Sequence, residues 1–241
     1  MADHDKPRDI RSLFTQFRTS DHWAVSLARD LLWVVAVVGA IALTLFLICG
    51  TWPAVVTIES GSMVPNMNIG DLVVVVQKDR YGELMTWEEG KAANVPKFNS
   101  YGDVIIYKPN GNTAVHPIIH RAVAYANTST PLTEIRGNQL RSNYTAPSDG
   151  YITWGDHNRN PDQFEIYDKI GTPAPVKDEW IVGKALFTVP LVGYLPLHIW
   201  EVIAAVIIIM ILHELYLKSR EAKTEGKGSK GSKKKAGKNQ K

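Results

Sequence analysis

The chain has 241 residues, of which 45% are apolar and 21% are charged, and its net charge is +3. These proportions exclude collagen-like, coiled-coil and fully disordered proteins, and the single cysteine excludes an intrachain disulfide framework and a multi-cysteine metal site. Residues 218–241 hold ten of the 27 Lys and Arg and two of the 24 Asp and Glu, so this tail alone carries +8. The basic excess therefore belongs to a tail, and no nucleic-acid-binding face with clustered Lys and Arg is predicted.

The first predicted element is an apolar helix that could cross a membrane. Residues 31–49 are nineteen residues without a charge, LLWVVAVVGAIALTLFLIC. At about 1.5 Å of rise per residue, such a helix spans roughly 28 Å, close to the hydrocarbon core of a bilayer. Its length disfavours a buried helix of a soluble protein, and the thirty residues before it disfavour a cleaved signal peptide. We therefore predict an N-terminal segment, residues 1–30, and then a transmembrane helix.

Residues 50–198 have the pattern of an antiparallel β domain. Short runs of β-branched and aromatic residues alternate with turns rich in Gly, Pro and Asn, and no long stretch has helical periodicity. The segments 80–100 and 126–150 are more polar and are predicted to be insertions or lids. The predicted strands are residues 55–58, 71–76, 104–107, 118–125, 151–154 and 180–183.

A second apolar segment follows this domain. Residues 199–217 contain eleven consecutive apolar residues, and Trp200 and Tyr216 lie near opposite ends, where aromatic side chains favour the membrane interface. The uniformly apolar surface favours a second transmembrane helix over an amphipathic helix that lies on the membrane. The Lys-rich residues 218–241 cannot form a core and are predicted to be disordered.

The flanking charges predict the orientation in the membrane. Lys and Arg concentrate on the cytoplasmic side of membrane proteins, which assigns the Lys-rich tail to the cytoplasm. Two crossings then put residues 1–30 in the cytoplasm as well, and residues 50–198 outside. The predicted location is a cell membrane, with two passes, both termini cytoplasmic and a β domain on the outer side.

The external domain offers few candidate catalytic groups. It has no metal-ligand spacing, no Gly-rich phosphate loop and no cysteine, so neither a metal nor another cofactor is predicted. The segment ESGSMVPNM begins at Glu59, and Gly61 allows a tight bend between two hydroxyls. If Ser62 attacks a substrate, its own N–H and the Ser60 hydroxyl are placed to stabilise an oxyanion. An ordinary Ser/Gly turn between strands has the same composition, so both interpretations stay open at this point.

A serine nucleophile needs a general base, and three of the seven His lie in the external domain away from the membrane segments. His120 lies in an apolar strand, where a core histidine is the alternative, and His116 lies at the strand entry. The third is His157. A neutral imidazole accepts a proton near neutral pH, whereas a Lys base must first be desolvated. Lys108 precedes a Pro in a predicted turn and should be solvated, so a Ser–Lys pair is disfavoured.

Five short blocks, taken in order, resemble the type I signal peptidases. More narrowly, they are similar to the archaeal and endoplasmic-reticulum branch, in which His replaces the Lys base of the bacterial enzymes. The blocks extend over about residues 57–184, and one of them has His157 where Asn is frequent in the family. Their order and the preceding apolar helix make the set specific. The five blocks are SGSM at 60–63, NIGD at 68–71, GDVIIY at 102–107, IHR at 119–121 and GDHN at 155–158 with Asp162 beyond it.

The resemblance implies a role for each matched residue. Ser62 corresponds to the nucleophile, His120 to the general base and Ser60 to the oxyanion-hole hydroxyl. Asp162 corresponds to the carboxylate that orients the base, and Asp156 to a second important Asp that supports the site. Either Asp could instead cap the turn that contains it, and the choice of the orienting carboxylate stays open.

The resemblance also implies a fold and a function. The fold is an antiparallel β catalytic domain of signal-peptidase type between two transmembrane helices. The function is that of a membrane-bound serine endopeptidase that removes signal peptides from secreted preproteins, cutting after small residues, with Val56 and Met63 as candidates to line the pockets.

The expected partners are preproteins, the protein-translocation channel and membrane lipids. The alternatives are a non-catalytic membrane-anchored scaffold or binding module, and a protease specialised for one group of proteins. Two passes and a Lys-rich tail look more archaeal than eukaryotic.

Overall fold

A long apolar helix leads into the body of the protein. In the computed structural model, helix α1 spans Trp23–Cys49, and the described residues are 15, 17–20, 22–213 and 215–216. Among the described helices, α1 is the one long and apolar enough to cross a membrane, and none of its apolar window is buried in the protein. The predicted apolar helix is therefore confirmed, with an earlier start. The predicted disordered tail, residues 218–241, lies outside the described residues, as do residues 1–14.

The C-terminal end of α1 is bonded directly to the body. Gly50 ends the helix in the left-handed conformation, with φ of 70°, which glycine adopts without strain. Three groups of the body donate hydrogen bonds to the last carbonyls of the helix. The Arg80 guanidinium donates to Leu47, and the Tyr81 hydroxyl donates to Ile48. The backbone N–H of Gln77 donates to Cys49. The body therefore satisfies carbonyl groups that a helix end leaves without intrahelical partners.

The body is built on antiparallel sheets, which confirms the predicted fold class at this level. In the described part of the chain, the main sheet has six strands: β1 (Val55–Thr57), β2 (Leu72–Val76), β5 (Val104–Tyr107), β6 (Ile118–Ala126), β9 (Gly150–Trp154) and β10 (Ile181–Val189). Their order across the sheet is β1-β2-β10-β5-β6-β9. Two small hairpins join β3 (Pro96–Lys97) to β4 (Ser100–Tyr101) and β7 (Leu132–Ile135) to β8 (Asn138–Tyr144).

Both predicted insertions contain regular structure. Within residues 80–100, the Thr86 side chain accepts from the Glu89 N–H and the Glu89 carboxylate accepts from the Thr86 N–H, a capping box that begins helix α2 (Trp87–Ala92). Residues 126–150 contain the hairpin of β7 and β8. The six predicted strands all correspond to strands of the main sheet, and β10 extends furthest beyond its predicted range.

The register of the central strands sorts the predicted site residues onto two faces. Side chains alternate along a strand, and residues paired across strands share a face. His120 pairs with Ile105, and the pairing of β6 with β5 and β9 puts Tyr107, His120 and Thr153 on one face. Arg121, the next residue after His120, points to the opposite face. All four residues of β5 are buried, as expected for a strand covered on both faces.

The last strand is followed by two helices. After β10 come the short helix α3 (Tyr194–Leu197) and the apolar helix α4 (Ile199–His213). Helix α4 occupies most of the predicted second transmembrane segment, residues 199–217, but its described length falls short of that of a membrane-spanning helix. Residues 214 and 217 lie outside the described residues. The second crossing therefore stays a prediction.

The core makes a specific prediction for stability. Ile152 lies in β9 with no exposed surface, so Ile152→Ala leaves a cavity and is expected to lower the free energy of unfolding by about 3 kcal/mol. Ile166 is 82% exposed, and Ile166→Ala is expected to change it by less than about 0.5 kcal/mol. Denaturant unfolding of the full chain in detergent measures both. Equal losses in the two variants would contradict the described core.

Candidate active site

The predicted nucleophile lies in a single turn of 3-10 helix between β1 and β2. Ser62 is the middle residue of that turn, Gly61–Met63, and its Oγ lies 3.2 Å from the Oγ of Ser60. Beneath the turn, Met63 is almost fully buried, and its carbonyl accepts a 3.0 Å hydrogen bond from the N–H of Met67. The buried Met63 side chain thus anchors the turn, and the hydroxyls of Ser60 and Ser62 lie side by side above it.

The predicted base is held by the predicted carboxylate. His120 is 4% exposed, and its Nδ1 lies 2.6 Å from Oδ2 of Asp162, which has no exposed surface. An ionised carboxylate can only accept hydrogen bonds, so Nδ1 donates the proton and a neutral ring presents its lone pair at Nε2. The contact fixes the tautomer in which Nε2 can accept a proton from a nucleophile.

Asp162 is the centre of a buried hydrogen-bond network. Its Oδ2 accepts from His120 Nδ1, from the Tyr107 hydroxyl at 2.8 Å and from the Thr153 hydroxyl at 2.6 Å. Its Oδ1 accepts from the Tyr167 hydroxyl at 2.9 Å. Three of these donors share a face of the sheet, because the strand register puts Tyr107, His120 and Thr153 there. Strand pairing therefore assembles most of the network.

The network keeps Asp162 ionised and its tyrosine donors protonated. Burial alone would raise the pKa of Asp162, but the hydrogen bonds from His120, Thr153 and Tyr107 outweigh burial, so the pKa lies below its ordinary value. Burial, followed by the charge of Asp162, raises the pKa of Tyr107 and that of Tyr167. Both hydroxyls therefore remain donors at neutral pH.

Gly155 brings the serine turn up to the histidine. It directly follows β9, and a Cβ at this position would lie 2.8 Å from each of three atoms: Nε2 of His120, the carbonyl oxygen of Ser62 and Nδ2 of Asn158. Only glycine leaves room for this approach. The N–H of His157 donates a 2.8 Å hydrogen bond to the same carbonyl of Ser62. The loop after β9 thus ties the turn that contains Ser62 to the strand that carries His120.

Ser62 and His120 line one cleft of about 680 Å³. Ser60 and Asn158 add polar groups to it, while the rest of the lining is mainly apolar and includes Val56, Ile58, Met63, Ile106 and Ile119. Ser62 Oγ is hydrogen-bonded to Ser60, and in the described part of the chain Nε2 of His120 has no hydrogen-bond partner. The cleft therefore brings a serine and a histidine together within a mainly apolar wall.

The second predicted carboxylate serves a different partner. Asp156 forms no hydrogen bond or ion pair with His120 in the described part of the chain; its two oxygens accept from Nε and Nη2 of Arg121 at 2.8 and 2.6 Å. It also accepts from Nδ2 of Asn66 at 2.8 Å, and Arg136 lies 4.0 Å away. Burial would raise the pKa of Asp156, but the Arg121 hydrogen bonds and charge outweigh burial and lower it.

Arg121 joins three parts of the site. Its guanidinium has no exposed surface, and it also donates to the carbonyls of Lys97 and Gly102, at 2.9 and 2.8 Å. Through Asp156 it reaches Asn66, which follows the serine turn. The ion pair thus connects β6, the turn after Ser62 and the loop after β9. Arg121 and Asp156 support the site from the face opposite His120.

The described structure brings four of the five predicted site residues together around the cleft. Ser60, Ser62 and His120 line it, and Asp162 lies directly behind His120. Asp156 lies on the opposite face. The uncharged donors Tyr107, Thr153 and Tyr167 were missed, because no spacing in the sequence marks them. The buried ion pair of Arg121 could be predicted from the sequence, since a charged residue within an apolar strand needs a buried partner.

The other histidines of the domain take no part in this network. His116 lines the cleft, but its side chain is 90% exposed, with Nδ1 3.9 Å from Glu59. His157 is exposed and contributes its backbone N–H. Among the described residues, no group of three or more His, Cys, Asp and Glu could hold a metal ion.

Comparisons with known proteins add no assignment. The chain matches no family model and no curated protein sequence. The roles of the site residues are therefore argued from their geometry and chemistry.

The position of Asp162 predicts a pH-dependent contribution to stability. Because its pKa is lowered on folding, the ionised carboxylate stabilises the fold fully above the unfolded-state value of about 3.9, and this contribution is lost as the pH falls through the folded-state value. Asp162→Asn is expected to lower the free energy of unfolding by about 2 kcal/mol at neutral pH, and the difference from wild type should shrink below about pH 4.

Denaturant unfolding across this pH range checks the expectation. Asp168→Asn is the matched control, because Asp168 is exposed in the same segment, and it should change stability by less than about 0.5 kcal/mol at every pH. A loss in Asp162→Asn that stays constant into the acid range would mean that the charge of Asp162 does not stabilise the fold.

Proposed function

We propose that this chain is a serine endopeptidase that acts through an acyl-enzyme. The observation that carries the proposal is the 2.6 Å contact between His120 Nδ1 and the fully buried Asp162. Burying a carboxylate is costly unless it is hydrogen-bonded, and here one partner is the imidazole of His120, which lines the same cleft as Ser62. A non-catalytic scaffold has no use for this pair, so the arrangement favours an enzyme.

The reaction is acyl transfer in two steps. Ser62 Oγ attacks the scissile carbonyl while its proton passes to His120 Nε2, and the Ser62 N–H and the Ser60 hydroxyl stabilise the oxyanion. The C–N bond then breaks, and the imidazolium returns the proton to the leaving amine. Water repeats the attack on the acyl-enzyme with His120 as base, which releases the acid and restores Ser62. Asp162 stabilises the imidazolium throughout.

The substrate class we propose is the signal peptide of a secreted preprotein. Val56 and Met63, the residues expected to line the pockets, both contribute to the apolar wall next to Ser62. Met63 is 1% exposed, so it adds little open surface to that wall. We propose that the pockets beside Ser62 accept small side chains before the cut, as in the A-x-A-like site that follows a signal peptide's apolar region.

The membrane part of the proposal rests on α1 and α4. Helix α1 is long and apolar enough to span a bilayer, and α4 would supply the second crossing together with the residues that follow it. The Lys-rich tail favours cytoplasmic termini and an external β domain. Ser62 follows the end of α1 by thirteen residues, so the nucleophile would stay close to the membrane, where a translocation channel delivers the cleavage site.

Substitution of the acyl-transfer residues tests the proposal. Ser62→Ala removes the nucleophile and His120→Ala removes the base, and each is expected to lower cleavage of a labelled preprotein by about four orders of magnitude. Ser60→Ala removes one oxyanion donor and should cost about a hundredfold. The assay uses the full chain in detergent, and sequencing of the product's N-terminus identifies the cut.

Ser129→Ala is the control, because it alters an exposed hydroxyl outside the cleft, and it should cleave like wild type. Three other outcomes of the assay are decisive. Undiminished cleavage by Ser62→Ala or His120→Ala would overturn the mechanism, and a wild type that cleaves none of several different preproteins would favour the scaffold. Near-complete loss in Asp156→Ala, with activity retained in Asp162→Ala, would reverse the roles of the two carboxylates.

Single added cysteines test the orientation. Cys49 is fully buried, so the native thiol should resist a membrane-impermeant maleimide. In sealed cells, Ser129→Cys in the external domain is expected to react, whereas Ser229→Cys in the Lys-rich tail should react only after permeabilisation. A gel shift measures the labelling. Reaction of Ser229→Cys in sealed cells would contradict a cytoplasmic tail.

A further inference from the structure

Tyr167 has a particular place in the Asp162 network. Oδ2 of Asp162 accepts three hydrogen bonds, whereas Oδ1 accepts, among the described residues, only the one from the Tyr167 hydroxyl at 2.9 Å. A carboxylate can rotate about its Cβ–Cγ bond, and donors on a single oxygen restrain that rotation less than donors on both. Tyr167 is therefore the described donor that restrains the second oxygen of the carboxylate that holds His120.

Tyr167 also borders the candidate cleft. It lines the 680 Å³ cleft that contains Ser62 and His120, and it also lines two adjoining cavities of about 320 and 410 Å³. Tyr107 and Thr153, the other two hydroxyl donors to Asp162, have no exposed surface. Among these donors, Tyr167 is therefore the one that a bound substrate can touch.

The backbone around Tyr167 is held independently of its hydroxyl. The N–H and carbonyl of Tyr167 exchange hydrogen bonds of 3.0 and 2.9 Å with Gly171. Further along the segment, the Asn110 side chain accepts from the N–H of Ala174 at 2.8 Å and donates to the carbonyl of Ile170 at 3.3 Å. Loss of the hydroxyl alone should therefore leave this segment in place.

We propose that Tyr167 is a positioning residue that links occupation of the cleft to the orientation of the His120 ring, through its hydrogen bond to Asp162. This rests on the proposed peptidase function. A substrate that packs against the ring pins the hydroxyl on Oδ1, and the carboxylate then holds His120 with Nε2 towards Ser62. Tyr167 itself exchanges no proton and forms no bond with the substrate's reacting atoms.

The proposal predicts a defined kinetic change in Tyr167→Phe. The ring wall stays, so KM for a labelled preprotein should remain within about twofold, while kcat falls about tenfold, as expected for loss of one hydrogen bond to a charged group. Tyr125→Phe is the matched control, because Tyr125 is exposed and lies outside the cleft, and it should leave kcat and KM unchanged. The full chain in detergent is used throughout.

A double-mutant cycle separates positioning from a structural role. If Tyr167 acts through Asp162, adding Tyr167→Phe to Asp162→Asn should reduce the remaining rate by less than about twofold. An unchanged tenfold loss in that background would overturn the proposal. So would a raised KM at constant kcat, which indicates substrate binding alone, or a lowered melting temperature that accounts for the lost activity.

A spectroscopic measurement does not depend on turnover. With ¹⁵N-labelled histidine, the proton shared between His120 Nδ1 and Asp162 should give a resonance that moves in Tyr167→Phe and stays in place in Tyr125→Phe. An unmoved resonance in Tyr167→Phe would overturn the proposal even if the kinetics agree. If the wild type cleaves no preprotein, the proposed function fails, while this measurement still decides whether Tyr167 orients the pair.

Discussion

The structure depends on the burial of one carboxylate. A buried ionised Asp is tolerated only with a full set of hydrogen-bond donors, and Asp162 draws these from four parts of the chain. Tyr107 comes from β5, His120 from β6, Thr153 from β9 and Tyr167 from the segment beyond Asp162 itself. The requirement for these donors fixes the register of three adjacent strands together with the loop that follows them. The geometry around His120 follows from that constraint.

A dipeptide in β6 organises both faces of the site. Because neighbouring side chains in a strand point to opposite faces, His120 meets Asp162 on one side and Arg121 meets Asp156 on the other. The first pair sets the tautomer of the imidazole. The second reaches Asn66 and so restrains the turn that carries Ser62. His120 and the turn that contains Ser62 are thus held by two separate buried contacts that originate in adjacent residues.

The sequence predicts those parts of this architecture that depend on local pattern. Alternating β-branched runs indicated every strand of the main sheet, and the uncharged run indicated α1. The Thr86–Glu89 capping box could have been recognised, but the polar composition around it suggested only an insertion. The uncharged donors to Asp162 could not be predicted, because a hydroxyl's partner depends on strand register and not on spacing along the chain. For the same reason, the different partners of Asp156 and Asp162 emerge only from the fold.

The bonded end of α1 has a mechanical consequence. Arg80, Tyr81 and the N–H of Gln77 hold the last carbonyls of the helix, and Cys49 is fully buried against the body, so no free hinge separates helix from sheet. Where α1 crosses a bilayer, the helix and the β domain are therefore expected to tilt together. A thicker or thinner membrane that changes the tilt of the helix would then raise or lower Ser62 relative to the lipid surface.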